Sequence, residues 1–129
     1  MTVFVDTSVA LAHLLVEARR PAPSLWTERL VGSRLLEYEV WNRLHAYGYL
    51  GVYEESAREI LARIDLFELS PIVLARALES FPAPVRTLDG LHLATLAFAR
   101  RRFGPVRFAS YDVRQAECAR AMGFEVVEP

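Results

Sequence analysis

"FVDTSVALAHLL" (residues 4–15) decides how this chain is read. A short β-branched run ends on Asp6, two hydroxyls follow at Thr7 and Ser8, and apolar residues then recur at helical spacing. This is a strand that turns directly into a helix with an acid at the join. Asp6 could cap the helix, as aspartate commonly does. It could also belong to a site whose other members lie far along the chain.

Working outward, the same alternation repeats. The spacing predicts a strand over 2–6 and a helix over 7–20, with a break at "PAPS" (21–24). A short buried strand is expected within 28–33, then a helix over 33–48 with Ser33 as N-cap and a glycine stop. An amphipathic helix follows over 53–64, then a strand over 66–70 and a helix over 71–81 opened by Pro71. After "PAP" (82–84), "TLDGLHLATLAFARRRFG" (87–104) is apolar on most sides and predicts a largely buried helix. A strand over 105–112, a helix over 113–123 and a last strand over 124–128 complete the order. Strands alternating with helices through short connections argue for an α/β fold, three layers around a parallel sheet of four to five strands, in one domain spanning 1–129.

Composition narrows the chemistry. The 129 residues carry a net charge of -1, so no global positive field draws nucleic acid; local arginines or a bound cation would have to hold it. All fifteen basic residues are arginine, which excludes a lysine-bearing P-loop, a Schiff base and a lysine-dependent receiver site. Cys118 is the sole cysteine, so there is no internal disulfide or cysteine zinc cluster, and its helical setting suits a small core residue. No apolar run reaches the roughly 20 residues of a membrane span, and no signal-length segment opens the chain; a cytoplasmic protein is expected.

The four aspartates are Asp6, Asp65, Asp89 and Asp112. In a parallel sheet, ligands gather at the carboxyl ends of the strands near the switch point. Asp6 and Asp112 both end strands, and Asp89 opens the buried helix, so three of the four converge on one edge. Asp65 is expected on the solvent side of a helix end. Glu39 joins the three from the apolar face of the 33–48 helix, where an ionised carboxylate is costly unless paired or metal-bound. Each has a plain structural reading too. Asp6 and Asp112 suit N-caps, Asp89 suits a helix dipole, and Glu39 could pair with Arg43 at i+4. Four clustered carboxylates without cysteine form a hard-oxygen set suited to Mg²⁺ or Mn²⁺. A divalent ion there would neutralise phosphate charge and activate water, the chemistry of phosphodiester cleavage.

These segments resemble the PIN domain, and in particular the VapC-type toxin ribonucleases of toxin–antitoxin pairs. "FVDTSVAL" (4–11) matches the opening motif with Asp6, and "SRLLEYEVWNRL" (33–44) matches the helix bearing the second acid, Glu39. "TLDGLHLATLA" (87–97) matches the third motif with Asp89, and "FASYD" (108–112) the fourth with Asp112. The resemblance implies a PIN-like fold and a metal-dependent endoribonuclease, with Asp6, Glu39, Asp89 and Asp112 as catalytic and metal-binding acids. It also implies a homodimer and inhibition by a VapB-type antitoxin. Thr7 and Ser8 are read first as first-turn residues satisfying backbone donors, with positioning of a carboxylate as the alternative. His13, His45 and His92 are read as structural, although His92 stands one turn from Asp89. Arg100–Arg102 complement a helix dipole, and Arg86 is the better candidate for a substrate or carboxylate contact. Tyr38, Trp41 and His45 fall on a second face of the Glu39 helix. With Tyr47 and Tyr49 they suit an antitoxin groove or dimer contact, with stacking on RNA bases and, for Trp41, core packing as the alternatives.

Two rivals are weighed. A haloacid dehalogenase-type phosphatase also begins with a strand ending in aspartate, but it wants an acid where Ser8 stands and a lysine that is missing. The other is a PIN-like RNA- or protein-binding module without turnover.

Overall fold

A computed structural model describes residues 1–15 and 20–129. Five strands, β1 (Thr2–Val5), β2 (Arg29–Ser33), β3 (Ile64–Phe67), β4 (Arg107–Ala109) and β5 (Val126–Val127), pair in parallel in the order β3-β2-β1-β4-β5. The helices are α1 (Thr7–Leu14), α2 (Arg34–Ala46), α3 (Leu50–Ala62), α4 (Pro71–Ala77), α5 (Thr87–Phe103) and α6 (Val113–Ala121), and a 3-10 turn spans Pro23–Thr27. The chain leaves β1 toward β2 and β3 on one side, and β4 and β5 extend the other side. The switch in direction therefore falls between β1 and β4, the strands that precede Asp6 and Asp112.

Period-two side-chain alternation divides the core between the two faces of the sheet. Val3 and Val5 of β1 pack with Val9, Leu36, Val40, Leu44, Ala57 and Ile60 beneath α1, α2 and α3. Phe4, between them, points to the opposite face and packs with Val31, Leu93, Leu96, Phe108 and Cys118 beneath α5 and α6. Cys118 is buried there as a small apolar residue. Being covered on both faces is why the strands read as continuous apolar runs.

Local chemistry sets most element ends. Ser33 and Ser70 cap α2 and α4 by accepting from the amides of Leu35 and Val73. The expected glycine stops at Gly48 and Gly123 adopt φ of +68 and +93, a backbone region costly for other residues. Several limits move. α3 begins at Leu50 rather than 53, β3 lies at Ile64–Phe67 rather than 66–70, and α4 ends at Ala77 rather than 81. The expected helix over 7–20 is observed to Leu14, and residues 16–19 lie outside the described residues. Asp65 stands in β3 rather than at a helix end, on an exposed position where Arg29 of the neighbouring strand pairs with it at 3.6 Å.

Gly90 sits inside α5, next to Asp89. An added Cβ would meet Val85 Cγ2 at 3.5 Å and Phe81 Cε2 at 3.6 Å, both ordinary contacts. Gly90→Ala is therefore expected to stabilise the fold by about 0.5–1 kcal/mol through helix propensity alone. Urea unfolding measures it, and a loss of stability would show that the space is not available.

Candidate active site

Asp6 directly follows β1 and stands at the N-cap position of α1, yet its side chain makes no capping hydrogen bond. It is only 3% exposed. Ser8 Oγ donates to Oδ1 at 2.5 Å, and Ser110 Oγ donates to Oδ2. Each hydroxyl is oriented by a backbone amide, Tyr111 N–H donating to Ser8 Oγ and Asp112 N–H to Ser110 Oγ, both at 2.9 Å. The exit of β4 thus grips the acid at the exit of β1. Burial pushes the Asp6 carboxyl up, and the hydrogen bonds from Ser110 and Ser8 offset this only in part.

Asp112 is an N-cap in full: Oδ1 accepts from Arg114 N–H at 3.0 Å and Gln115 N–H at 3.2 Å. Gln115 Nε2 also donates to the Asp89 backbone oxygen at 3.4 Å, which ties the start of α6 to the start of α5. Asp89 lies in the first turn of α5. Its carboxyl is held above the usual range, by partial burial first and then by the charge of Asp112, with a smaller contribution from Glu39; His92 and Arg86 act in the opposite direction. Carboxylates from α2, α5 and α6 are therefore near enough to feel one another at the carboxyl edge of the sheet.

Glu39 departs from its expected partner. Oε1 accepts from Thr7 Oγ1 at 2.7 Å and lies 2.5 Å from His92 Nε2, while Arg43 contributes only a distant charge and stacks on Tyr47. Burial would raise the Glu39 carboxyl, but His92 and Thr7 outweigh it and the group falls below the usual range. Thr7 and Ser8 thus position carboxylates instead of satisfying backbone donors at the helix start. The reason is steric, because α1 begins directly beneath the acids and its first hydroxyls have carboxylates within reach. His92 is 2% exposed and sits among the acids, contributing to the electrostatics of Asp6, Glu39 and Asp89. The one available signal was its i+3 spacing from Asp89.

The other residues singled out take packing or surface positions. Arg100–Arg102 form the last turn of α5, where Arg100 stacks 3.9 Å over Phe124. His13 packs against Trp26, and His45 is exposed. Tyr38, Tyr47 and Tyr49 are exposed, whereas Trp41 is partly buried against the core.

Among the described residues, no three His, Cys, Asp or Glu side chains are arranged to hold a metal ion directly. The donor chemistry nevertheless fits a hard cation. The groups are carboxylates, the charges of Asp112 and Glu39 add to burial in raising Asp89, and the single nearby imidazole nitrogen is committed to Glu39. Mg²⁺ usually keeps several waters and needs only one or two direct carboxylates, so an all-protein cage is not required.

The electrostatics give a sign that can be tested. A carboxyl raised in the folded state contributes stability that is present below its ordinary value, 3.8 for Asp89, and lost as pH rises through the folded value. Asp89→Asn should therefore raise the melting temperature of the metal-free protein at neutral pH, with a gain that shrinks as pH falls through the folded value toward 3.8. A gain that does not change with pH, or a loss, would contradict the crowding of acids described above.

A parallel sheet of this order, flanked by helices and with acids collected at its carboxyl edge, defines a PIN-like α/β fold. A chain in a toxin–antitoxin complex from Klebsiella pneumoniae shares it, with a TM-score of 0.65 over 88% of each chain at 18% identity. No family model matches the sequence. Ribonuclease VapC46 of Mycobacterium tuberculosis is 33% identical over 99 residues, covering 77% of this chain and 73% of the relative. Ribonucleases VapC35 and VapC47 of the same organism are each 29% identical over 98% of this chain and 96% of their own. The chain belongs to the VapC family. No helix among the described residues is long and apolar enough to cross a membrane.

Proposed function

We propose that this protein is a toxin endoribonuclease that hydrolyses RNA phosphodiester bonds with Mg²⁺ or Mn²⁺ and is held in check by a cognate VapB-type antitoxin. The observation that carries this is the meeting of acids from separate helices at the carboxyl edge, where the Asp89 carboxyl is raised first by partial burial and then by the charges of Asp112 and Glu39. Like charges gathered at a strand edge, offset only in part by His92 and Arg86, are stabilised in their ionised form by a cation. The names of the relatives, ribonucleases in each case, support the same reading.

Asp6, Asp89 and Asp112 would hold the ion, directly or through water, and Glu39 would complete the set or orient the attacking water. A bound divalent cation supplies charge neutralisation at the phosphate and a lower pKa for water. The chain's own residues do the rest. Ser8 and Ser110 keep Asp6 in one orientation, and Arg86, whose charge already acts on Asp89, can contact a phosphate oxygen of the RNA. Water attacks phosphorus in line with the O3′ leaving group. The P–O3′ bond breaks, leaving a 5′-phosphate and a 3′-hydroxyl. On this reading the protein acts in the cytoplasm as a homodimer.

A second reading, a PIN-like RNA- or protein-binding module without turnover, is favoured by one observation: no direct ligand cage is formed among the described residues. One assay separates them. Purified protein incubated with a structured RNA should produce 5′-phosphorylated fragments with Mg²⁺ or Mn²⁺ and none in EDTA. Metal-dependent binding with no fragments would favour the module, and fragments in EDTA would exclude the proposed chemistry.

A further inference from the structure

We propose that His92, with Thr7, is a positioning residue that fixes which Glu39 oxygen faces the ion, an inference that rests on the metal-site reading above. Both donors converge on the same atom. Thr7 Oγ1 donates to Glu39 Oε1 at 2.7 Å, and His92 Nε2 lies 2.5 Å from that oxygen and 3.3 Å from the threonine hydroxyl. The threonine proton is committed to Oε1, so Nε2 must carry its own proton to face a carboxylate oxygen at this distance. Among the described residues, Oε2 receives no hydrogen bond and stays available to the edge where Asp89 lies.

Packing does not account for an imidazole here. His92 stands on a helix that buries the apolar Leu93, Ala94, Leu96 and Ala99, and its Nδ1 has no hydrogen-bond partner among the described residues. A buried ring with one unpaired nitrogen is costlier than leucine at the same place. What the ring supplies is a single N–H, delivered from one helix to a carboxylate on another across a separation of 53 residues. Partners of metal-binding groups act in this way, setting orientation without touching the ion.

The test is Mn²⁺ binding by calorimetry on the whole protein, with folding checked by circular dichroism. His92→Leu should weaken Mn²⁺ binding by about 10–100-fold, the usual effect of removing such a partner. His92→Gln, whose amide nitrogen reaches about where Nε2 stands, should retain most of the affinity, which a purely structural role would not predict. Thr7→Val, which deletes the second donor without changing shape, should weaken binding less. Wild-type affinity in His92→Leu overturns the proposal, as does an equal loss in His92→Gln. If His92→Leu does not fold, unchanged affinity in Thr7→Val overturns it. A wild-type protein that takes up no Mn²⁺ overturns the metal-site reading and this inference with it, whereas uptake shared by every variant overturns this inference alone. Independently of metal, ¹⁵N shifts of His92 should show a proton on Nε2; an Nε2 without one overturns the proposal.

Discussion

Asp6→Asn is expected to cut RNA cleavage by about three orders of magnitude while leaving the metal-free protein at least as stable as wild type. The first effect follows from what a divalent ion supplies, several kcal/mol of charge stabilisation at the phosphate, with each 1.36 kcal/mol equal to about tenfold in rate. An amide keeps the shape of the side chain but offers the ion one weaker oxygen. The second effect follows from burial. Folding places the Asp6 carboxyl above its ordinary value because desolvation outweighs the hydrogen bonds from Ser110 and Ser8. The folded chain therefore binds that proton more tightly than the unfolded chain, and ionised Asp6 subtracts stability at neutral pH. Asparagine removes the charge, and its oxygen and nitrogen still face two hydroxyls. Cleavage rates and melting curves on one preparation measure both. A variant that loses activity because it melts far lower would point to a structural acid, and one that still cleaves at the wild-type rate would place the chemistry elsewhere.

Phe108→Ala should be the most damaging core substitution short of losing a strand, at about 3–5 kcal/mol. Phe108 is fully buried in β4, its ring centroid 6.0 Å from that of Phe4 in the adjacent strand, and both pack against Leu93 and Leu96 of α5. Parallel pairing of Phe4 with Phe108 also sets the register that brings the exits of β1 and β4 together. The cavity lies directly beneath the acids, in a fold whose total stability is on the order of 5–15 kcal/mol. Urea denaturation should show a lower midpoint, and Mn²⁺ should recover part of the loss by binding the folded state alone. A cost below about 1 kcal/mol would mean that the sheet closes over the gap.

The architecture was legible because a parallel sheet covered on both faces writes itself as apolar runs separated by helical periodicity, and because Asp6 and Asp112 mark where two strands end. The cap at Ser33, the start at Pro71 and the stops at Gly48 and Gly123 are local chemistry, visible without the fold. The limits of β3 and α4 were not, since Asp65 looked like a helix end until its pairing with Arg29 across strands was known. Edge strands take their definition from a neighbour that is distant in sequence. The site was legible as a set of residue types but not as a network. The Glu39 partner was sought at i+4, whereas the contacts that form are with Thr7 and His92, 32 and 53 residues away. Local rules rank nearby partners well and are silent about ones that only folding brings within reach. Asp112 shows the opposite case: its capping role was readable, and the cap is what sets its position at the edge.

Crystals of the protein grown with Mn²⁺ and measured at the manganese absorption edge test the joint role of the acids most directly. An anomalous peak is expected at the carboxyl edge of the sheet, with oxygens of Asp6, Asp89 and Asp112 in its coordination sphere, directly or through one water, and Glu39 alongside. No peak at saturating Mn²⁺, or a peak coordinated by other residues, would contradict the account.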